Sequence, residues 1–169
     1  MSRALRGLAL LALGALASTP SARAEDGGAV LRMTGMTFVG SRPPSGELVL
    51  HSERAIFHPD TDLADLEVVE AVWTDPAKGE RFTMTCDRAE LDVASNDFVA
   101  RGQVRGETAD GQRYSAPVVR YDHAGGLLHS DRRVTLVDDS GSFEGDGFRY
   151  LVREGTFRLL GNVKVVQTR

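Results

Sequence analysis

The feature that most constrains the fold is a short phrase that the chain repeats. Residues 98–104 read FVARGQV and residues 157–163 read FRLLGNV, so an aromatic residue, a glycine and a valine recur at matching positions. Around them lie units with one layout: an opening aromatic residue, a strand, a turn and a second strand that ends in valine. These units are residues 81–104, 113–134 and 142–163, with a looser first copy at 47–69. Repeats of this length indicate one small structural unit that is stacked or arrayed several times.

Within each unit, the alternation of apolar residues changes phase inside the first strand. In the unit at 81–104, Phe82 and Cys86 occupy even positions, whereas Ala89 and Leu91 occupy odd ones. Such a slip would turn the second apolar set to solvent unless a bulge or bend intervenes. The pattern predicts an all-β, antiparallel, curved two-sheet sandwich of strand–turn–strand repeats, with about eight main strands. A further strand is expected near residues 30–38.

The N-terminus has the pattern of a secretion signal. Two arginines precede an apolar stretch at residues 7–17, and an Ala-Arg-Ala cleavage pattern follows at 22–24. The stretch is shorter than the ~20 residues that a membrane-spanning helix needs, and a short retained anchor is the alternative. We therefore expect residues 1–24 to be a signal peptide or a short membrane anchor, and residues 25–169 to form a single domain.

Composition restricts the partners. The first 24 residues hold three arginines and no acidic residue, so the remainder carries 17 basic and 24 acidic residues, a net charge of −7. That balance disfavours nucleic acid and anionic membrane surfaces as partners. Cys86 is the only cysteine, which excludes an internal disulfide. Its place in the apolar alternation predicts a buried small side chain rather than a reactive thiol.

The sequence contains no recognisable catalytic or metal-binding motif. The four histidines are dispersed, without the spacing of a zinc site. No nucleophile elbow, phosphate-binding loop or dinucleotide fingerprint follows a strand. We therefore expect no metal, no cofactor and no enzymatic activity. A glycoside hydrolase needs only two carboxylates, which distant strands could supply, so that alternative stays open.

Several stretches of the chain resemble the periplasmic β-jellyroll of the LptC family, which is related to LptA and to the N-terminal domain of LptD. The stretches are LVLHSERAIFHPD, FTMTCDRAELD, YSAPVVRYDHAGGLLHSDRRVTL and GSFEGDGFRYLVREGTFRLLGNVKVV. The resemblance spans about residues 30–167 and implies a β-jellyroll in the bridge that transports lipopolysaccharide across the periplasm. Such a protein receives lipopolysaccharide from an inner-membrane ABC transporter and holds the acyl chains inward.

Two alternatives to an anchored LptC-like protein remain at this point. Family members similar to this chain usually keep an N-terminal membrane helix, whereas this N-terminus resembles a cleavable one, which leaves a soluble LptA-like bridge protein. The other alternative is a structural adaptor that pairs sheet edges without binding lipid.

A lipid groove would be lined by the alternating apolar residues of the two sheets. The candidates are Leu50, Phe57, Met84, Leu91, Tyr114, Val118, Phe143, Phe148, Leu159 and Val163. The alternative is a closed core in which the same side chains pack on one another, as in any β-sandwich.

The two ends of the sheet are candidate docking edges. Residues 157–167 form an apolar strand with no element after it to cover it, and an unpaired strand is a template for the edge of another chain. The candidate partner-edge residues are Phe157, Leu159, Gly161, Val163 and Val165. We expect this edge to dock an LptA-like jellyroll, and residues 30–40 to face the jellyroll of the ABC transporter. Arg158 and Lys164 are interpreted either as gatekeepers against misassembly or as solvated surface charges.

Overall fold

The computed structural model describes residues 28–41, 46–75 and 77–167, and these residues form one antiparallel sheet of twelve strands. Within that part of the chain, no helix is long and apolar enough to cross a membrane. The expected signal or anchor at 1–24 lies outside the described residues. The strands are β1 Leu31–Ser41, β2 Glu47–His58, β3 Leu63–Asp75, β4 Glu80–Asp92, β5 Asp97–Thr108, β6 Arg113–Asp122, β7 Leu127–Ser130, β8 Val134–Asp138, β9 Gly141–Gly145, β10 Gly147–Leu151, β11 Thr156–Leu160 and β12 Lys164–Gln167.

The first six strands pair in chain order, and the sheet then divides into two branches at β6. Residues 120–122 of β6 pair with β7, which continues to β10 and β11. Residues 113–115 of β6 pair instead with β8, which continues to β9 and β12. Pro117 lies between the two paired segments, where its missing N–H costs no ladder hydrogen bond.

A bend crosses the long strands and folds the sheet into two layers. The ladder shifts register between Thr85 and Arg88 of β4 and between Arg101 and Val104 of β5, which confirms the predicted phase change. We call the two sides layer one and layer two. Layer one contains residues 31–34, 54–58, 63–67, 88–92, 97–101 and 118–122 with β7, β10 and β11. Layer two contains residues 36–41, 47–52, 69–75, 80–86, 104–108 and 113–116 with β8, β9 and β12.

The glycine of the repeated phrase lies on this bend in both copies. Gly102 and Gly161 have φ angles of 73° and 70°, a region that a residue with a Cβ rarely adopts. A Cβ on Gly102 would lie 2.5 Å from Oδ2 of Asp87, and one on Gly161 would lie 2.7 Å from Cβ of Asp146. The phrase therefore encodes a bend beside an aspartate, which is Asp87 of β4 in one copy and Asp146, between β9 and β10, in the other. The unit at 113–134 has no glycine at the matching position and bends between β7 and β8 instead, where the ladder is interrupted.

The expectation of an antiparallel sandwich made of strand–turn–strand repeats is confirmed. The N-terminal strand is also present, as β1. The number of strands exceeds the expected eight because the bend breaks the last strands into separate pieces, whereas β2 to β5 cross it unbroken. Cys86 is buried, as predicted from its place in the alternation.

Candidate functional site

The inner face of layer one carries a continuous row of mainly large apolar side chains, which we call the layer-one row. Its members are direct neighbours across successive strands, so each packs against the next. The row runs through Leu31, Phe57, Ala64, Leu91, Phe98, Tyr121, Leu128, Tyr150 and Phe157. It begins on β1, one edge of the sheet, and ends on β11, at the other edge.

The inner face of layer two carries a matching layer-two row. It runs through Phe38, Leu50, Ala71, Met84, Gly106, Tyr114, Leu136, Phe143 and Val165. This row also starts on β1, and it ends on β12. The molecule therefore has two facing apolar tracks that cross the whole sheet from edge to edge.

The space between the two rows is filled in the middle of the molecule. Trp73 of layer two stacks on Phe82 with ring centroids 6.0 Å apart, and Phe82 meets Tyr121 of layer one at 5.8 Å. Toward β11, Tyr114 of layer two lies 5.5 Å from Phe148 of layer one. These contacts between aromatic rings hold the layers together and leave the central side chains without solvent access.

The ends of both rows are accessible. Val165 lies opposite Phe143 on the inner face, yet 53% of its surface is exposed. Leu31, at the other end of the sheet, is 54% exposed although it pairs with Phe57 on the inner face. The interior thus opens at both edges, and Phe38, Phe143 and Phe157 are only partly buried there.

Tyr114 occupies an unusual position on the layer-two row. Its ring lies over Gly106, the residue directly opposite on β5, and a Cβ on Gly106 would collide with the ring. Burial raises the pKa of the Tyr114 hydroxyl above its ordinary value. Among the described residues that hydroxyl has no hydrogen-bond partner, and neither does the buried hydroxyl of Ser52. A buried hydroxyl without a hydrogen bond destabilises the folded state. Both hydroxyls could therefore still form a hydrogen bond inside an apolar space.

The structure brings most of the candidate groove residues together. Phe57 and Leu91 lie on the layer-one row, and four others lie on the layer-two row: Leu50, Met84, Tyr114 and Phe143. Phe148 and Leu159 face each other beside the bend in layer one. Whether these residues line a lipid path remains a prediction, because Leu50, Met84, Leu91, Tyr114 and Phe148 are buried in the closed middle.

Two candidates lie elsewhere. Val118 pairs with the exposed Arg101, while its neighbour Val119 pairs with the buried Ala100. The bulge in β5 and the bend at Pro117 set this register, so Val119 rather than Val118 takes the inward position. Val163 is exposed in the segment between β11 and β12.

The partner-edge candidates lie at the end of the sheet, as expected from their position in the chain. Phe157 and Leu159 are on β11 and face inward, and Val165 is on β12. Gly161 and Val163 are in the exposed connection between these two strands. The outer sides of β11 and β12 have no strand partner within the described part of the chain.

Several row residues were missed by the sequence reasoning, notably Phe98, Tyr121, Leu128 and Tyr150. A signal for Tyr121 and Tyr150 was present, because both close the first strand of a repeat at the position that Phe57 and Leu91 occupy in other copies. Phe98 and Leu128 pair with that position from the return strand, and they also match Phe157 in the repeat, six residues before the closing valine.

Other surface features are weaker candidates for a functional site. A groove of about 620 Å³ follows the bend and is lined by side chains of mixed character, among them Met36, Val68 and Asp87. In the part of the chain that the structure describes, no three His, Cys, Asp or Glu side chains are placed to hold a metal ion. The two apolar rows and their open ends remain the best-developed site.

Comparison with known families supplies one match. A family model described as "Lipopolysaccharide-assembly, LptC-related" matches residues 44–168 and therefore covers most of the sheet. No curated protein matches the chain.

Proposed function

The chain belongs to the LptC family, which has a role in lipopolysaccharide transport, and from that premise we propose that it is one segment of the transport bridge. In this proposal, lipopolysaccharide arrives from the inner-membrane ABC transporter at the β1 edge. Its acyl chains pass between the two layers along the apolar rows. They leave at the β11 and β12 edge into the next periplasmic jellyroll, a protein similar to LptA.

The observation that carries the proposal is the continuity of the two rows from edge to edge, together with the exposure of their ends. Covering an acyl chain of ~12 carbons contributes on the order of 10 kcal/mol relative to water. The membrane solvates the acyl chain equally well before transfer, so moving the acyl chain into this protein gains little net free energy. The protein is therefore a passive conduit, and the transporter supplies the work.

Passage through the closed middle requires the layers to separate. The layers are connected along the bend, and the rims opposite the bend share no backbone ladder among the described residues. A side-chain hydrogen bond does join them, from Nζ of Lys78 in the β3–β4 turn to the carbonyl of Arg153 in the β10–β11 turn, at 3.1 Å. Opening at the rims thus breaks side-chain contacts and leaves the ladders of both layers intact.

A second candidate function is an adaptor that joins neighbouring jellyrolls through its edges and binds no lipid. The filled middle favours it, because the aromatic contacts between Phe82 and Tyr121 leave no through-passage in this structure. The adaptor and the conduit share the docking edge and differ only in whether lipid enters the interior.

Photocrosslinking separates the two functions. A photoreactive amino acid at Leu159 faces the interior, and the same group at the adjacent Leu160 faces outward as a matched control. The conduit predicts crosslinks to lipopolysaccharide from position 159 well above those from position 160 when the transporter is active. Equal or absent crosslinking from both positions would leave only the adaptor.

The docking edge is tested separately by truncation. Deleting residues 164–169 removes β12, whose four residues are all exposed, and should leave the core folded. Deleting residues 157–169 removes both edge strands. We expect capture of the purified LptA-like jellyroll of the same organism to weaken in the first variant and vanish in the second. Undiminished capture by the longer deletion would exclude this edge.

A further inference from the structure

The outer face of layer one carries a row of basic side chains that ends at the docking edge. Arg120 of β6 lies opposite His129 of β7, His129 lies opposite Arg149 of β10, and Arg149 lies opposite Arg158 of β11. We call these four residues the basic ladder. They are direct cross-strand neighbours, a spacing at which side chains on one face touch.

Few of the ladder's charges are compensated by the described residues. Arg120 makes one ion pair, 3.4 Å to Asp131, whereas no described carboxylate lies within ion-pair distance of Arg149 or Arg158. Burial lowers the pKa of His129, and the nearby Arg149 and Arg120 lower it further. Like charges directly opposite each other destabilise a sheet, so this arrangement is unfavourable in the isolated protein.

The positive charge of the ladder also contrasts with the charge of its surroundings. The protein as a whole is acidic, with a net charge of −4. On the same outer row of layer one, the strands nearer to β1 carry Asp65 and Glu90. On β12, the other strand of the docking edge, the single lysine lies opposite a glutamate, Lys164 to Glu144. On the branch that leads to β11, by contrast, Arg149 and Arg158 lie opposite each other with no described ion pair.

Resting on the proposed docking edge, we propose that the basic ladder selects the partner by charge. The occupant of the β11 edge is an extended strand of another protein that continues the sheet. It carries a carboxylate on the outer face beside Arg158, and apolar residues on the inner face beside Phe157 and Leu159. The carboxylate completes the ladder and neutralises the repulsion between Arg158 and Arg149.

The same feature rejects a second copy of this chain. If copies stacked head to tail, β1 of one would add to β11 of the other. In layer one, the outer positions of β1 are Arg32 and Thr34, so no register of β1 offers a carboxylate to Arg158. Specificity of this kind combines an attractive element for the correct partner with a repulsive one for the wrong partner.

The test compares charge reversals at two matched strand positions. Arg158→Glu reverses the charge of the ladder residue on β11, and Arg32→Glu reverses an arginine on β1, at the opposite edge of the sheet. The probe is the purified LptA-like jellyroll of the same organism, captured at about 150 mM and at 500 mM NaCl, because exposed charges are screened beyond ~8 Å at the lower salt.

We expect Arg158→Glu to lower the affinity for the probe at least tenfold and to weaken its salt dependence, with the Arg32→Glu control within about threefold of the natural protein. Thermal unfolding of Arg158→Glu should occur at an unchanged or higher temperature, because the new carboxylate faces Arg149. A loss of capture together with a stable fold would therefore exclude misfolding as the cause.

Other outcomes overturn the proposal in distinguishable ways. If Arg158→Glu captures the probe normally while deletion of 157–169 abolishes capture, the docking edge stands and charge selection is wrong. If the deletion also captures normally, the proposed docking function fails as well. Binding of phosphatidylglycerol vesicles that Arg158→Glu abolishes, with capture unchanged, would reassign the ladder to a membrane surface.

Discussion

The middle of the sandwich and its C-terminal edge share one inner face but differ in how much of it they bury. In the middle, Phe82 contacts both Trp73 and Tyr121, and none of the three rings has appreciable solvent access. At the edge, Val165 continues the same face and leaves half of its surface in water. The inner face thus changes from a core to a binding surface, although the alternation of inward apolar residues along the strands stays the same. Stability is concentrated in one region and the capacity to bind in the other.

The difference arises from how the strands cross the bend. The strands β2 to β5 run through it unbroken, so the two layers are covalently linked at each of them. Toward the C-terminus the strands break, and β11 and β12 pair with different neighbours, β10 and β9. β12 ends its branch of the sheet, and all four of its residues are exposed.

The largest expected effect on stability comes from emptying the middle. Trp73→Ala removes a fully buried ring that stacks on Phe82 and should lower the free energy of unfolding by about 3–5 kcal/mol. Val166→Ala on β12 should change it by less than about 0.5 kcal/mol. Urea unfolding followed by circular dichroism measures both, since Trp73 is the only tryptophan and fluorescence would be lost with it. Similar losses in the two variants would abolish the distinction between core and edge.

A smaller effect follows from the buried thiol of the middle region. Burial raises the pKa of Cys86 to about 11 from its ordinary value of 9.0, so the folded protein keeps this proton where the unfolded chain has lost it. The resulting stabilisation is complete below pH 9 and is lost as the pH rises toward 11, a change of about 2 kcal/mol. The difference in unfolding free energy between the natural protein and Cys86→Ala should therefore shrink across that range. A difference that stays constant would indicate a solvated thiol.

A third predicted change in stability, smaller than that of Cys86, is a gain. Tyr114→Phe removes a buried hydroxyl that has no partner among the described residues, while the ring keeps its contact with Phe148. We expect the free energy of unfolding to rise by about 1 kcal/mol. A clear fall in the free energy of unfolding, measured in the same urea titration, would mean that the hydroxyl has a hydrogen-bond partner in solution. Water would then reach the middle of the sandwich.

Much of the fold follows from local sequence rules. The phase change between Cys86 and Ala89 marked a bulge, and the glycines at 102 and 161 marked the bend, because side-chain alternation and positive φ are properties of the local backbone. The inward position of Val119 instead of Val118 was not predictable in this way. This inward position depends on the number of residues in the bulge of the neighbouring strand, β5, which is a tertiary property.

The candidate site was predictable only in part. Phe57 and Leu91 belong to a repeated position, and a repeat can be recognised by aligning the chain with itself. The basic ladder is also partly visible in that alignment, because Arg120 and Arg149 directly precede Tyr121 and Tyr150. Only strand pairing shows that His129 lies between these two arginines and that Arg158 follows them. Whether an apolar row is sealed or open is also decided by packing, since Leu50 and Val165 follow the same alternation and differ in burial.

The most direct measurement of the central claim uses two adjacent valines of β12. Val165 faces inward and Val166 outward, and each is 53% exposed, so they are matched except for the face they occupy. In a Cys86→Ala background, Val165→Cys and Val166→Cys are labelled with a polar maleimide, with and without lipopolysaccharide. An apolar interior that admits acyl chains at this edge predicts slower labelling of position 165 on adding lipopolysaccharide and no change at position 166. Equal labelling of position 165 with and without lipopolysaccharide would contradict a lipid path between the layers.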